Sequence, residues 1–286
     1  MIRIVEFFNL WVSSGGEHGE NPGMYDVVMH HLTDHVIHNG FIGKINELFL
    51  SKKLFGFFDM RITKWVLMMW ISLILTSLIF LILARKIKRD KNGSKSRWVN
   101  LWEALIGFIH DEIVEPNFDK KYMKVAMPYF ASLFFFILFC NLIGLVPGMA
   151  TATGNLGVTA GLAICTLIGM VVIGTIKQGP LWIIKGIVPG GIPKALFPLL
   201  WVIELMGLLI KPFALTVRLF ANMTAGHVVI IIFLYLIMMF ESYLVGIGSV
   251  SGSLMIYMLE LLVCFIQAYI FTALSAMFIG ASMHAH

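Results

Sequence analysis

ALFPLLWVIELMGLLIKPFALTVRLFANMTAGHVVIIIFLYLIMMF, residues 195–240, carries three charged side chains in 46 residues: Glu204, Lys211 and Arg218. At 1.5 Å per residue a helix of that length measures ~69 Å, over twice the ~30 Å hydrocarbon core of a bilayer. Such a rod has too little polar surface for water and is too long to stand upright in lipid. Pro198 and Pro212 each remove a backbone donor and provide places to bend. A second apolar stretch, Leu254 to Met283, would be ~45 Å long as a helix. It follows a Glu241–Ser253 segment that reads as a loop with one acidic charge. The two stretches predict a long, steeply inclined helical hairpin over about 195–283.

The rest of the chain agrees with a membrane setting. Of 286 residues, 37 are charged, or 13%, and the hydrophobic fraction is 59%. A soluble domain carries about 25% charged residues, and the mean hydropathy here is +0.88. Residues 1–124 hold 29 of the 37 charges, leaving eight for the remainder: Lys177, Lys185, Lys194, Glu204, Lys211, Arg218, Glu241 and Glu260. The net charge of +5 comes from basic residues beside apolar spans, which speaks for topology and against nucleic acid. Cys140, Cys165 and Cys264 all lie in apolar runs, so free thiols are expected, with no disulfide framework and no metal spacing.

Three further spans precede the hairpin: Trp65–Ala84, Val125–Val146 and Leu156–Ile176. Between the first two, Arg85–Arg97 contains seven basic residues against one Asp90. A short basic loop marks the cytoplasmic side, which places the N-terminus outside and, after five crossings, the C-terminus in the cytoplasm. The uncharged Pro147–Asn155 turn suits an outer loop, and Lys177, Lys185 and Lys194 return to the inside. Trp98–Val114 has an apolar stripe at Trp98, Trp102, Leu105 and Ile109 but is too polar to span, so it reads as an interfacial amphipathic helix. The fold class expected is therefore an all-α membrane protein of about five crossings plus that helix. Residues 1–63 form an outer-side segment with an amphipathic stretch at Met24–His38, and 64–286 form the integral domain. His30, His31, Asp34, His35 and His38 have helical spacing, read here as an interfacial face with no metal bound.

The charges of the hairpin are ordered. Glu204, Lys211 and Arg218 are seven apart and drift only ~20° per step around a helix, and Asn222 stays on roughly the same side. His227 is nine residues past Arg218, ~180° round. Glu260 and Gln267 are again seven apart. A bend near Leu244 would bring His227 and Glu260 to one depth, where they meet across the hairpin. Guanidinium keeps its proton under essentially all conditions. Imidazole and buried carboxyl are the groups whose pKa moves toward neutrality. The residues thus offer one fixed charge and a pair able to pass a proton.

Ile203–Glu204–Leu205, Lys211–Pro212 and the run Arg218–Leu219–Phe220–Ala221–Asn222–Met223–Thr224–Ala225–Gly226–His227 resemble the signature of the membrane-embedded a subunit of F-type ATP synthases. Gln267–Ala268–Tyr269–Ile270–Phe271 and Asn141–Leu142–Ile143–Gly144–Leu145–Val146–Pro147–Gly148 resemble two further motifs of that family. The resemblance covers roughly residues 25–286. It implies a non-catalytic stator of the Fo sector in a bacterial inner membrane. Its implied partners are the c-subunit ring, b-type peripheral stalk subunits, the remaining F1Fo subunits and lipid.

In that family Arg218 would match the essential arginine separating two proton half-channels. Asn222, His227, Glu260 and Gln267 would match outer half-channel residues, and Glu204 an acidic residue of the cytoplasmic one. Some members place the acid at the position of His227 and the imidazole at that of Glu260, which supports a working pair. Some also carry Asp where Gly144 stands here, so Asn141, Thr151, Thr153 and Asn155 become candidate lining residues. No cofactor is called for, and the chain lacks a Walker-type phosphate loop. Two alternatives remain: a Na⁺-translocating version of the same subunit, and a secondary transporter with a Glu/His/Arg relay, for which inverted repeats would speak.

Overall fold

The computed structural model describes residues 63–89, 97–146, 149, 151–179, 196–240 and 243–283. The Met24–His38 stretch, its histidine cluster and the 1–62 part of the N-terminal segment lie outside the described residues. Described are six α-helices: α1 Lys64–Arg89, α2 Arg97–Ile109, α3 Lys120–Gly144, α4 Leu156–Gln178, α5 Phe197–Phe240 and α6 Tyr243–Ala281. A π turn, His110–Val114, continues α2, and a 3₁₀ turn, Ala152–Gly154, precedes α4. All except α2 are long and apolar enough to cross a membrane. The protein is an all-α membrane protein.

Lipid explains why helix is so uniform. No water is present in the hydrocarbon to bond a free N–H or C=O, so each crossing segment must satisfy its own backbone. The few hydroxyls within the spans turn back to carbonyls one turn earlier. Ser72 donates to Met68 O at 2.9 Å, Thr175 to Val171 O at 2.7 Å, Thr216 to Pro212 O at 3.0 Å and Thr272 to Ala268 O at 2.8 Å. Each such bond removes a polar group that would otherwise be stranded in hydrocarbon. Pro198 falls in the first turn of α5, where a missing donor costs nothing. Pro212 lies inside α5 and Pro128 inside α3, and both helices continue through them.

One boundary differs from the sequence expectation. Glu241–Ser253 is not a loop: α6 already begins at Tyr243, leaving only residues 241–242 between α5 and α6 outside the described helices. Gly246, Gly248 and Gly252, with Ser249, Ser251 and Ser253, suggest a loop by the habits of soluble proteins. In a membrane the cost of unpaired backbone keeps such residues helical, and small side chains then let helices approach closely. With 44 and 39 residues, α5 and α6 measure ~66 and ~59 Å. Neither fits ~30 Å of hydrocarbon without tilting, bending or projecting from it.

Two compact units can be distinguished. Among the described residues, one comprises those within 63–72, 140–155 and 221–264, and the other those within 73–139, 156–220 and 265–283. In the first, the facing parts of α5 and α6 run antiparallel. A Cβ on Gly226 would lie 2.6 Å from Glu260 Oε1, and one on Gly252 would lie 2.7 Å from the Phe233 ring. Seven steps forward along α5 thus match eight steps back along α6.

The second unit is held by aromatic and polar contacts of its own. Trp102 packs 5.2 Å from Phe135, which also receives the edge of Phe80 at 5.5 Å. Thr166 on α4 and Ser275 on α6 share a buried hydrogen bond of 3.0 Å. At the end of α4, Gln178 donates to Ser282 O at 3.1 Å, and the Lys177 ammonium sits 4.0 Å from the Tyr122 ring centre. The inner stripe of α2 runs through Val99 and Ile109 to Ile113, whereas Trp98, expected in that stripe, is exposed.

Candidate functional site

The first unit gathers a polar cluster around His227. One turn back on α5, the Met223 carbonyl lies 2.9 Å from the imidazole Nδ1. Across the hairpin, Glu260 Oε1 lies 2.7 Å from the same nitrogen. The two side chains therefore do meet. On the far side of the ring, Nε2 lies 2.8 Å from Thr151 Oγ1 and 3.0 Å from the Gly144 carbonyl. Gly144 is the last residue of α3, and Thr151 lies in the segment joining α3 to α4.

Glu260 is 2% exposed, and both its oxygens are buried without a hydrogen bond among the described residues, Oε1 standing at ion-pair distance from His227 Nδ1 while that nitrogen bonds the Met223 carbonyl. A buried carboxylate whose oxygens lack hydrogen bonds is costly. Its neighbour, an imidazole, is a group that can share a proton with it. The contact exists because residue 226 is glycine: a methyl there would occupy the place of the carboxylate.

The α3–α4 connection contributes a second polar link. Thr153 donates to Asn141 Oδ1 at 2.5 Å, and Asn141 Nδ2 reaches the Cys264 carbonyl on α6 at 3.5 Å. Asn141, Thr151 and Thr153 are all buried. The backbone N–H of Asn155 closes the 3₁₀ turn on Ala152 O. Three of the four candidate lining residues thus touch the hairpin directly or through a neighbour. The hairpin residues were legible from their charge. The Gly144 and Met223 carbonyls and the clearance at Gly226 were not, although the small residue beside His227 was a hint.

In the second unit, Arg218 and Glu204 stand on α5 and Gln267 on α6. Gln267 is buried and Glu204 half-buried. Arg218 is exposed, and among the described residues no hydrogen bond or ion pair of its guanidinium is found. Along α5 the exposed positions include Ala214, Arg218, Ala221, Asn222 and Ala225. The guanidinium therefore has three alanines near it on that side of the helix, together with the polar Asn222 and the exposed Lys211. At the π turn, ligating atoms of His110, Asp111 and Glu115 lie within 4.8 Å of one another, with both acids exposed.

Comparison with known proteins puts these residues in context. The model of a family described as ATP synthase A chain matches residues 66–280. The ATP synthase subunit a of Chloroherpeton thalassium is 43% identical over 299 aligned positions, covering 95% of this chain and 86% of the relative. That of Chlorobium phaeobacteroides is 42% identical, covering 93% and 78%. That of Anaeromyxobacter dehalogenans is 40% identical, covering 96% and 74%.

Proposed function

The chain belongs to the ATP synthase A chain family, and on that premise we propose that it conducts protons to and from a ring of c subunits as the stator of the Fo sector. The observation carrying this reading is Arg218. A guanidinium on an apolar helix is expensive, at ~2.5–3.5 kcal/mol on insertion scales, and such charges sit where they are used. Here it is exposed among small residues without an ion-pair partner among the described residues. That arrangement suits a carboxylate arriving from another subunit, which the small side chains allow to come close.

The proposed path uses the remaining residues in turn. Protons enter from outside through the His227/Glu260 pair, with Asn222 and Gln267 beside the route and Asn141, Thr151, Thr153 and Asn155 lining it. They neutralise a c-subunit carboxylate, which can then rotate through lipid. As that carboxylate returns to Arg218, the fixed positive charge favours loss of its proton, and Glu204 receives the proton on the cytoplasmic side. Each proton crossing 100 mV contributes about 2.3 kcal/mol. An imidazole against a carboxyl handles protons, whereas Na⁺ is held by sets of hard oxygen ligands, so H⁺ is the ion proposed.

The partners proposed are the c ring, b-type stalk subunits and the rest of F1Fo, in a bacterial inner membrane. ATP itself is made elsewhere in that assembly. The test is Arg218→Ala in the assembled complex reconstituted into vesicles. ATP-driven proton pumping and proton-driven ATP synthesis should both disappear. Normal coupled synthesis in a correctly assembled variant would end the proposal.

A further inference from the structure

The four contacts of the His227 ring are not equivalent. Nδ1 faces two acceptors, the Met223 carbonyl at 2.9 Å and Glu260 Oε1 at 2.7 Å. Nε2 faces the Gly144 carbonyl at 3.0 Å, which can only accept, and the Thr151 hydroxyl at 2.8 Å, which can accept or donate. When Nε2 carries a proton, either oxygen serves it. When Nε2 has lost that proton its lone pair needs a donor, and among these contacts only the Thr151 hydroxyl is one.

From this we infer that Thr151 is a positioning residue for proton transfer at His227. Its hydroxyl reverses its hydrogen bond as Nε2 gains or loses a proton, so that both states of the ring stay bonded. The inference rests on the reading of His227 and Glu260 as proton carriers given above.

The step balances without any further reactant. A proton added to Nε2 of the Nδ1–H ring gives imidazolium, and the hydroxyl turns from donor to acceptor. The Nδ1 proton then passes to Glu260 Oε1, leaving a neutral Nε2–H imidazole and a carboxylic acid. Thr151 has no room to drift away. It is 3% exposed, and its side chain fills the space that a Cβ on residue 144 would need. Glycine at 144 thus admits the threonine and at the same time presents its carbonyl to Nε2.

Glu260 from α6 is the ionisable group in contact with the ring, with Cys264 one turn further along that helix. Among the described residues, the end of α3 and the connection after it meet the ring through the neutral Gly144 and Thr151.

The experiment compares Thr151→Val, Thr151→Ala and Thr151→Ser in whole F1Fo reconstituted into vesicles. Passive proton flux and ATP-driven pumping are followed from about pH 6 to 9, with assembly checked by subunit content and ATP hydrolysis. Valine matches the shape of threonine without its hydroxyl, and alanine fits without any clash. Losing one hydrogen bond predicts about a tenfold loss of flux in both and a displaced pH midpoint. Serine should restore rate and midpoint together. The inference is overturned if Val or Ala keeps the native flux and midpoint, or if Ser is as impaired as Ala. A parallel His227→Ala separates the two levels: normal flux there would remove the carrier reading itself, whatever Thr151 does.

Discussion

Glu260 lies with its carboxylate against the backbone of the opposite helix, so its position depends on a residue that has no side chain. A methyl on Gly226 would stand 2.6 Å from Oε1 and 2.8 Å from Cδ. Gly226→Ala must therefore push the carboxylate off its 2.7 Å contact with His227 or separate the helices. Overpacking of this kind costs about 1–3 kcal/mol. The expected outcome is a lower thermal midpoint of the complex together with about a tenfold fall in pumping, measured in the same vesicles. A fall in stability with native pumping would mean that the contact is structural only. The pair itself was readable from spacing, because charged residues in an apolar stretch are few and a hairpin aligns them. What surrounds the pair was not readable. The Met223 and Gly144 carbonyls belong to the backbone, and no side-chain pattern announces which carbonyl will face a ring.

At the scale of the element, α5 and α6 are long helices whose close packing depends on where bulk is absent. Gly252 meets Phe233, whose ring would lie 2.7 Å from an added Cβ. Gly252→Val should thus destabilise the complex by about 1–3 kcal/mol. Combining it with Phe233→Ala should recover part of that loss, because the truncation vacates the space the valine needs. Thermal midpoints of the two single variants and the double variant measure the coupling, expected at about 0.5 kcal/mol or more for residues in contact. Strict additivity would remove the contact from the account. The same glycine explains where the sequence misled. Gly246, Ser249, Ser251 and Gly252 look like loop in water, where exposed backbone is hydrated at no cost. In hydrocarbon the backbone has no other partner than itself, so the segment stays helical from Tyr243 and Gly252 becomes a packing site. The five spans were legible for that same physical reason, since length and lack of charge are what lipid demands.

For the whole molecule, the large exposed apolar side chains, among them Trp70 and Leu81 on α1 and Met255 and Leu262 on α6, must meet lipid or neighbouring subunits. Orientation across that lipid follows from the distribution of basic residues. The stretch from Arg85 near the end of α1 to Arg97 at the start of α2 carries seven of them, while Glu241 falls between α5 and α6 in the sequence. If that basic stretch is cytoplasmic, five crossings put residues 91 and 243 on opposite sides. The prediction is tested with cysteines. Cys140 and Cys264 are buried and Cys165 sits within α4, so all three can be replaced by alanine to give a silent background. Lys91→Cys should then react with a membrane-impermeant maleimide in inverted vesicles and stay unlabelled in intact spheroplasts. Tyr243→Cys, exposed at the start of α6, should show the reverse pattern. Labelling of both positions from the same side would break the five-crossing topology. An exchanged pattern would invert the chain and move the His227/Glu260 pair to the entrance on the cytoplasmic side.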